Sequence, residues 1–275
     1  MSIKLIGLDL DRTTLNNAGK ISERTREALQ KAANMGVHVV IATGRSFYSM
    51  PEDVYHVKGL EFTANSNGAE IRELKTGKTI YSNHIDCKAV KAAHDYLVDK
   101  NFMIEVFTDG RAYIQRDEYE AIRSGQNPFR ARDYVIKTRT PIDDIYENMI
   151  NWQDKIENIN IFFKTDEEKQ ATYLDLIKIE NATVTSSMPD NLEIGGETTS
   201  KATALMYLAD KLGIKKDEIM CCGDSPNDIA MLKLAGTAVA VANASDEVKK
   251  FANYHTDSND DDGVAKAIEN LVLNI

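Results

Sequence analysis

Cysteine, proline and tryptophan are scarce in this chain, and long apolar runs are missing altogether. Its 275 residues include 3 cysteines, Cys87, Cys221 and Cys222, the last two adjacent inside an apolar segment. An odd count with that spacing does not make a disulfide framework and reads as buried, reduced thiols. No run of about 18 apolar residues is available to span a membrane. The opening MSIKLIGLDLD reaches Asp9 too soon to hold a signal-peptide apolar segment, so a cytoplasmic location is expected. There are no internal repeats and no low-complexity linkers.

Positive charge is also in short supply: 33 Lys and Arg stand against 43 Asp and Glu, a formal net charge of −10. Nucleic-acid binders draw most of their affinity from basic side chains neutralising phosphates, and no basic stripe exists here. A nucleic-acid partner is therefore excluded. A small anion remains possible if a local group of cation, metal and backbone amides overrides the overall field. The five histidines (His38, His56, His84, His94, His255) have no metal-ligand spacing such as HExxH and read as packing or surface residues. A hydrophobic fraction of 43% and a charged fraction of 28% fit an ordinary globular protein of one large or two modest domains. Nothing in the sequence sets an oligomeric state.

What is present is alternation. Ile3-Lys4-Leu5-Ile6-Gly7-Leu8 reads as a strand buried on both faces, as in a parallel sheet. Ser22 can cap a helix carrying Ala28, Leu29, Ala32 and Ala33 at helical spacing, and Gly36 can end it. A second buried strand, 37–42, completes a unit whose crossover is expected to be right-handed. The pattern returns late: a helix over 201–212 closed by Gly213, a strand over 219–222, a helix over 226–235 and a strand over 238–242. The middle differs, with a hairpin (102–107, 111–115) turning at Asp109-Gly110, strands over 158–163 and 182–185, and helices over 87–99, 142–152 and 166–178. The fold class expected is α/β: a doubly wound Rossmann-like parallel sheet core, residues 1–84 and 191–275, with an inserted α+β domain over 85–190.

Four short motifs fall at or beside the C-terminal ends of the parallel strands, the edge where open α/β sheets bind ligands. Asp9-Leu10-Asp11-Arg12-Thr13 places two carboxylates directly after a strand, where they could act as nucleophile and general acid/base, or simply end it in a polar turn. Thr43-Gly44-Arg45 offers a hydroxyl and free amides to an anionic oxygen, although Thr-Gly turns are common. Lys201 opens a helix, where an ammonium can offset phosphoryl charge or lie solvated on the surface. Gly223-Asp224-Ser225-Pro226-Asn227-Asp228 has Pro226 near a helix start, while Asp224 and Asp228 are hard oxygen donors suited to magnesium; a capped helix with an acidic first turn is the plain alternative. Like charges about 4 Å apart repel by roughly 1 kcal/mol in water and about 4 kcal/mol at an effective dielectric of 20. Gathering Asp9, Asp11, Asp224 and Asp228 thus calls for a divalent cation or for protonation.

The ordered series DxDxT, TGR, Lys and GDSxND resembles the haloacid dehalogenase superfamily of phosphatases. It is closest to the Cof-type sugar-phosphatase-like group (IIB), whose large C2-type cap is inserted between the second and third motifs. Ser66-Asn67-Gly68-Ala69, Ala242-Asn243-Ala244 and Asp262-Gly263-Val264 add local similarity. The resemblance implies a magnesium-dependent hydrolase of small phosphorylated metabolites, working through an aspartyl-phosphate under a closing cap. Asp9 would be nucleophile and magnesium ligand. Asp11 would be the acid/base, with its carbonyl on the metal, and Asp224 would complete the protein's share of the metal shell. Thr43, the Gly44 and Leu10 amides, Lys201 and Asn227 would hold the phosphoryl group, and Asp228 would orient Lys201 or a metal-bound water. Arg12 stands where the family generally has glycine, so a positive φ there would strain it. Ala202 replaces a frequent glycine. Tyr113, Arg116, Arg123 and Arg130 could contact an anion but equally fit an ordinary surface. A phosphomutase on the same core, or a non-catalytic phosphometabolite binder, are the competing readings; release of inorganic phosphate separates them from a hydrolase.

Overall fold

The computed structural model describes residues 2–127 and 131–275. The chain divides into two compact units: Met1–Gly44, Pro51–Tyr81 and Ser200–Ile275 form the first, Arg45–Met50 and Ser82–Thr199 the second. In chain order the strands are β1 (Leu5–Leu8), β2 (His38–Ala42), β3 (Leu60–Asn65), β4 (Glu70–Glu73) and β5 (Thr79–Ser82). There follow β6 (Met103–Thr108), β7 (Arg111–Gln115), β8 (Arg139–Ile142), β9 (Ile156–Phe162), β10 (Ala182–Thr185) and β11 (Asn191–Gly196). The chain then returns through β12 (Ile219–Gly223), β13 (Thr237–Ala240) and β14 (Tyr254–His255).

Among the described residues the first unit carries an eight-stranded sheet in the order β14-β13-β12-β1-β2-β3-β4-β5. Its strands from β14 to β3 are parallel, and β4 runs antiparallel to β3. From β1 the chain builds outward through β2 and β3, and the late strands build the other way from β12. The order therefore reverses between β1 and β12, and such a switch point opens a crevice at the carboxyl ends of the two strands. Every residue of β1 and β12 is buried, as expected of strands covered on both faces. The helix Lys201–Leu212 is capped by Ser200, whose hydroxyl accepts from Thr203 N–H, and ends at Gly213 with φ 68. It buries Ala204, Leu205, Leu208 and Ala209, which ties its first residue, Lys201, to the sheet.

The second unit holds a six-stranded sheet in the order β10-β11-β9-β6-β7-β8, antiparallel except between β7 and β8. One face packs Ile104, Val106, Ile159, Ile161 and Ile194 against the helices Cys87–Leu97 and Ile145–Asn151. Glu105 and Arg139 form a buried bidentate pair (2.9 and 2.7 Å). The Tyr134 ring lies 4.7 Å from the Arg45 guanidinium and 4.6 Å from that of Arg139. Tyr48 N–H donates to Gly110 O at 2.9 Å, so the segment after Thr43-Gly44 is held within this unit.

The units divide at 44/45, 50/51, 81/82 and 199/200, where the sequence reading placed divisions at 84/85 and 190/191 alone. The last offset has a direct cause: β11 is hydrogen-bonded to β9 and β10 and so lies in the second sheet. Cys221 and Cys222 are buried free thiols, whereas Cys87 is exposed at a helix start, contrary to the expectation for all three. No helix among the described residues is long and apolar enough to cross a membrane.

Leu205 is fully buried in the helix that Lys201 opens. Leu205→Ala is expected to cost about 2–5 kcal/mol, seen as a lower urea midpoint at unchanged m. A midpoint equal to that of the parent would show that this helix is not held by its core face.

Candidate active site

Asp9 is the residue at which β1 stops. Its N–H still donates to Cys222 O at 3.0 Å, and its carbonyl accepts the Thr14 hydroxyl at 2.6 Å. Beyond it the chain makes one wide turn over Leu10–Thr14, closed by Leu15 N–H donating to Leu10 O at 2.8 Å. That turn requires a left-handed residue, and Arg12 supplies it at φ 59, so the position where glycine would be unstrained is strained. The Arg12 carbonyl is clamped by Asn243 Nδ2 at 2.7 Å.

Strand register brings the motifs together. Leu8 pairs with Cys222 on one side and with Ile41 on the other. Asp9 therefore sits level with Gly223 and Ala42, one residue short of Asp224 and Thr43. Thr43 is buried, with its N–H on Ala64 O (2.8 Å) and its carbonyl accepting Asn67 N–H (2.9 Å). Leu10 is buried and Asp11 half-buried.

Lys201 is the centre of the cluster. Its ammonium is completely buried, 2.5 Å from Asp9 Oδ1 and 2.7 Å from Asp228 Oδ1. The carboxylates of Asp9, Asp224 and Asp228 offer oxygens all within 4.8 Å of one another. Asp228 is already engaged on both oxygens, since Oδ2 accepts the N–H groups of Asp224 (2.9 Å) and Ser225 (3.0 Å). This grip needs Gly223: a Cβ there would stand 2.6 Å from Asp228 Cβ. Asp224 accepts the Thr13 hydroxyl on Oδ1 and the Ser225 hydroxyl on Oδ2, both at 3.0 Å, and the exposed Arg12 Nε lies 3.9 Å from Oδ2.

The electrostatics follow from burial. Asp9 is pushed well above the ordinary carboxylate range by desolvation and then by the charge of Asp228, with Lys201 opposing. Asp224 is raised for the same two reasons, with Ser225, Thr13 and Arg12 opposing. For Lys201, burial alone would favour the neutral amine. The charges of Asp228 and Asp9 outweigh it, and the proton is held more tightly than in a free lysine.

Thus Asp9, Lys201, Asp224 and Asp228 meet in contact, and Asn227 sits in the turn between them, its Nδ2 on Asn67 Oδ1 at 2.9 Å. The sequence reading quoted Thr13, Ser225, Asn67 and Asn243 within its motifs but gave none of them a role at the site. For Ser225 a signal existed, because Ser225 and Asp228 form a capping box. Arg116 and Arg123 pair with Asp143 and Glu120, and Tyr113 packs on Trp152, so these three are engaged within the second unit. Arg130 lies outside the described residues.

The carboxylates of Asp9, Asp224 and Asp228 make an oxygen-only set, which fits a hard divalent cation. Residues 6–268 match the model of the haloacid dehalogenase-like hydrolases. Two Bacillus subtilis proteins named 5-amino-6-(5-phospho-D-ribitylamino)uracil phosphatase, YcsE and YwtE, are each 32% identical, over 99% and 98% of this chain and 97% and 98% of their own. A solved haloacid dehalogenase-like hydrolase from B. subtilis superposes with a TM-score of 0.85 at 29% identity, covering 98% of this chain and 100% of that one. The chain belongs to the haloacid dehalogenase-like hydrolase family, among its phosphatases.

Proposed function

We propose that this protein hydrolyses small phosphate monoesters, sugar or polyol phosphates first among them, through a phosphoryl group carried on Asp9. The observation that carries the reading is the buried Asp9–Lys201–Asp228 chain at the switch point, with Asp224 alongside. The relatives' phosphoribityl substrate makes the phosphate of a primary alcohol on a polyol chain the class to try first.

In the first half-reaction an Asp9 oxygen attacks phosphorus as the bond to the leaving oxygen breaks, and Asp11 gives that oxygen its proton. In the second, Asp11 takes a proton from water, the resulting hydroxide attacks phosphorus, and the Asp9–phosphorus bond breaks to release inorganic phosphate. Both catalytic carboxyls end as they began. Lys201, the Thr43 hydroxyl, the Gly44 and Leu10 amides and Asn227 hold the phosphoryl oxygens. Asp228, saturated by Lys201 and two backbone N–H groups, keeps Lys201 in place without touching substrate. Magnesium held by Asp9, Asp224 and the Asp11 carbonyl would supply the positive charge that lets an anionic nucleophile meet an anionic phosphoryl group.

Phosphate release from a panel of sugar and polyol phosphates is expected with magnesium and not with EDTA. Asp9→Asn should reduce it by at least about 1,000-fold, and Asp11→Asn by about 100- to 10,000-fold. A folded, magnesium-loaded protein that releases phosphate from no member, or an Asp9→Asn variant of normal activity, would overturn the reading.

Proton and metal should compete. The native carboxyls of Asp9 and Asp224 are raised, so the metal-free protein binds more protons than its unfolded chain and loses stability from these groups as pH rises above the ordinary carboxylate range. A cation must displace those protons, so its apparent affinity rises with pH. The gain in Tm on adding magnesium is therefore expected to be larger at pH 7.5 than at pH 5.5, and a gain independent of pH would count against these carboxylates as the ligands.

A further inference from the structure

Directly after β3, Ser66, Asn67 and Gly68 take φ values of 51, 58 and 92, three consecutive left-handed residues, all buried. Asparagine tolerates this region and glycine is at ease there, but serine is not, and such a backbone costs on the order of 1 kcal/mol or more. Strain of this kind persists only where neighbouring structure imposes it, and the neighbours are specific. Asn67 N–H donates to the carbonyl of Thr43 at 2.9 Å. Asn67 Oδ1 accepts from Asn227 Nδ2 at 2.9 Å. Gly68 lies so close to the carbonyl of Ser200, the residue capping the Lys201 helix, that a Cβ would come within 2.3 Å of its oxygen. One three-residue turn is therefore docked on the three separate segments that bring Thr43, Lys201 and Asn227 to the site.

The Asn227 contact carries a chemical consequence. A primary amide has a donor end and an acceptor end of nearly the same shape, and rotation by half a turn exchanges them. Asn227 Oδ1 is buried with no hydrogen-bond partner among the described residues. Its orientation is thus set at the other end, by the bond from Nδ2 to Asn67 Oδ1. Without that acceptor, the amide can present its carbonyl to an anionic oxygen, which repels where the N–H would donate.

We propose that Asn67 is a positioning residue for phosphoryl binding: by accepting one N–H of Asn227 it fixes that amide with its second N–H available to the phosphoryl group. The left-handed turn is what places the acceptor there. This rests on the reading of Asn227 as a phosphoryl contact.

The test is a double-mutant cycle of Asn67→Gly and Asn227→Ala, read as kcat, KM, inhibition by inorganic phosphate and Tm. Glycine keeps the left-handed backbone and removes the acceptor with the rest of the buried side chain. Asn67→Gly is expected to lower kcat/KM and weaken phosphate inhibition by about tenfold, the worth of a hydrogen bond to a charged group, with Tm within a few degrees of the parent. The double variant should be no worse than Asn227→Ala alone. Losses that multiply, or an Asn67→Gly variant with unchanged kcat/KM and phosphate inhibition, would overturn the role of Asn67 while leaving that of Asn227. An Asn227→Ala variant of full activity would instead remove the reading of Asn227, and the inference with it.

Discussion

The buried ammonium of Lys201 is the interaction on which the arrangement around Asp9 depends. Three buried carboxylates lie within 4.8 Å of one another, and Lys201 is the cation placed between two of them. A lysine removed from water this completely survives as a charge only through such partners, and removing either side of a buried pair leaves the other uncompensated. The pair therefore acts in both directions: Asp9 and Asp228 keep the ammonium charged, and the ammonium keeps the carboxylates close. The helix Lys201–Leu212 exists in this position because its apolar stripe is seated on the sheet, so the placement of one charge is delivered by the packing of Leu205 and Leu208.

Around this pair, small backbone devices do the aligning. Asp228 reaches Lys201 with one oxygen because its other oxygen is fixed by the amides of Asp224 and Ser225, and it comes that close because position 223 has no side chain. Asp224 is steadied by two hydroxyls rather than by a charge, which leaves its negative charge available to a cation. Arg12 is the outlier. The turn after β1 has the left-handed residue that glycine would fill without strain, and the chain holds arginine there with a carbonyl clamp from Asn243. The side chain that results, exposed and 3.9 Å from Asp224, adds positive charge at the edge of the acidic cluster.

The parts that were legible in the sequence were those governed by local rules. The helix closed by Gly213 falls at 201–212 as its spacing implied, because apolar period and glycine stop agree, and Ser200 caps its start. The buried strands around Asp9 and Asp224 were legible because parallel strands read as unbroken apolar runs. The strands β3, β4 and β5 were not, since they mix charged and polar residues with short apolar stretches and gain their structure from pairing across the sheet. β11 was hidden for a related reason: it ends in two glycines, and its place in the second sheet comes from pairing with β9 and β10. At the site, the charged residues announced themselves by spacing. The roles of Asn67 and Asn243 did not. Asn67 and Asn243 act through side-chain hydrogen bonds to Asn227 and Arg12, across about 160 and 230 positions of chain, and no local pattern encodes such a pairing.

An acidic protein that takes an anionic substrate needs its charge balance settled locally. Three carboxylates against one ammonium leave two negative charges in the cluster, and the proton affinities of Asp9 and Asp224 are raised by burial first and by the neighbouring negative charge of Asp228 second. On the proposed mechanism, a proton on Asp9 relieves the surplus at the expense of the nucleophile, because a protonated carboxyl cannot attack phosphorus. A divalent cation relieves the same surplus while leaving Asp9 ionised. The cluster is thus built so that the species able to neutralise it without disabling it is a metal ion. A net charge of −10 over the whole chain then poses no obstacle to a phosphorylated substrate, because the charge that substrate meets is set within a few ångströms of Lys201.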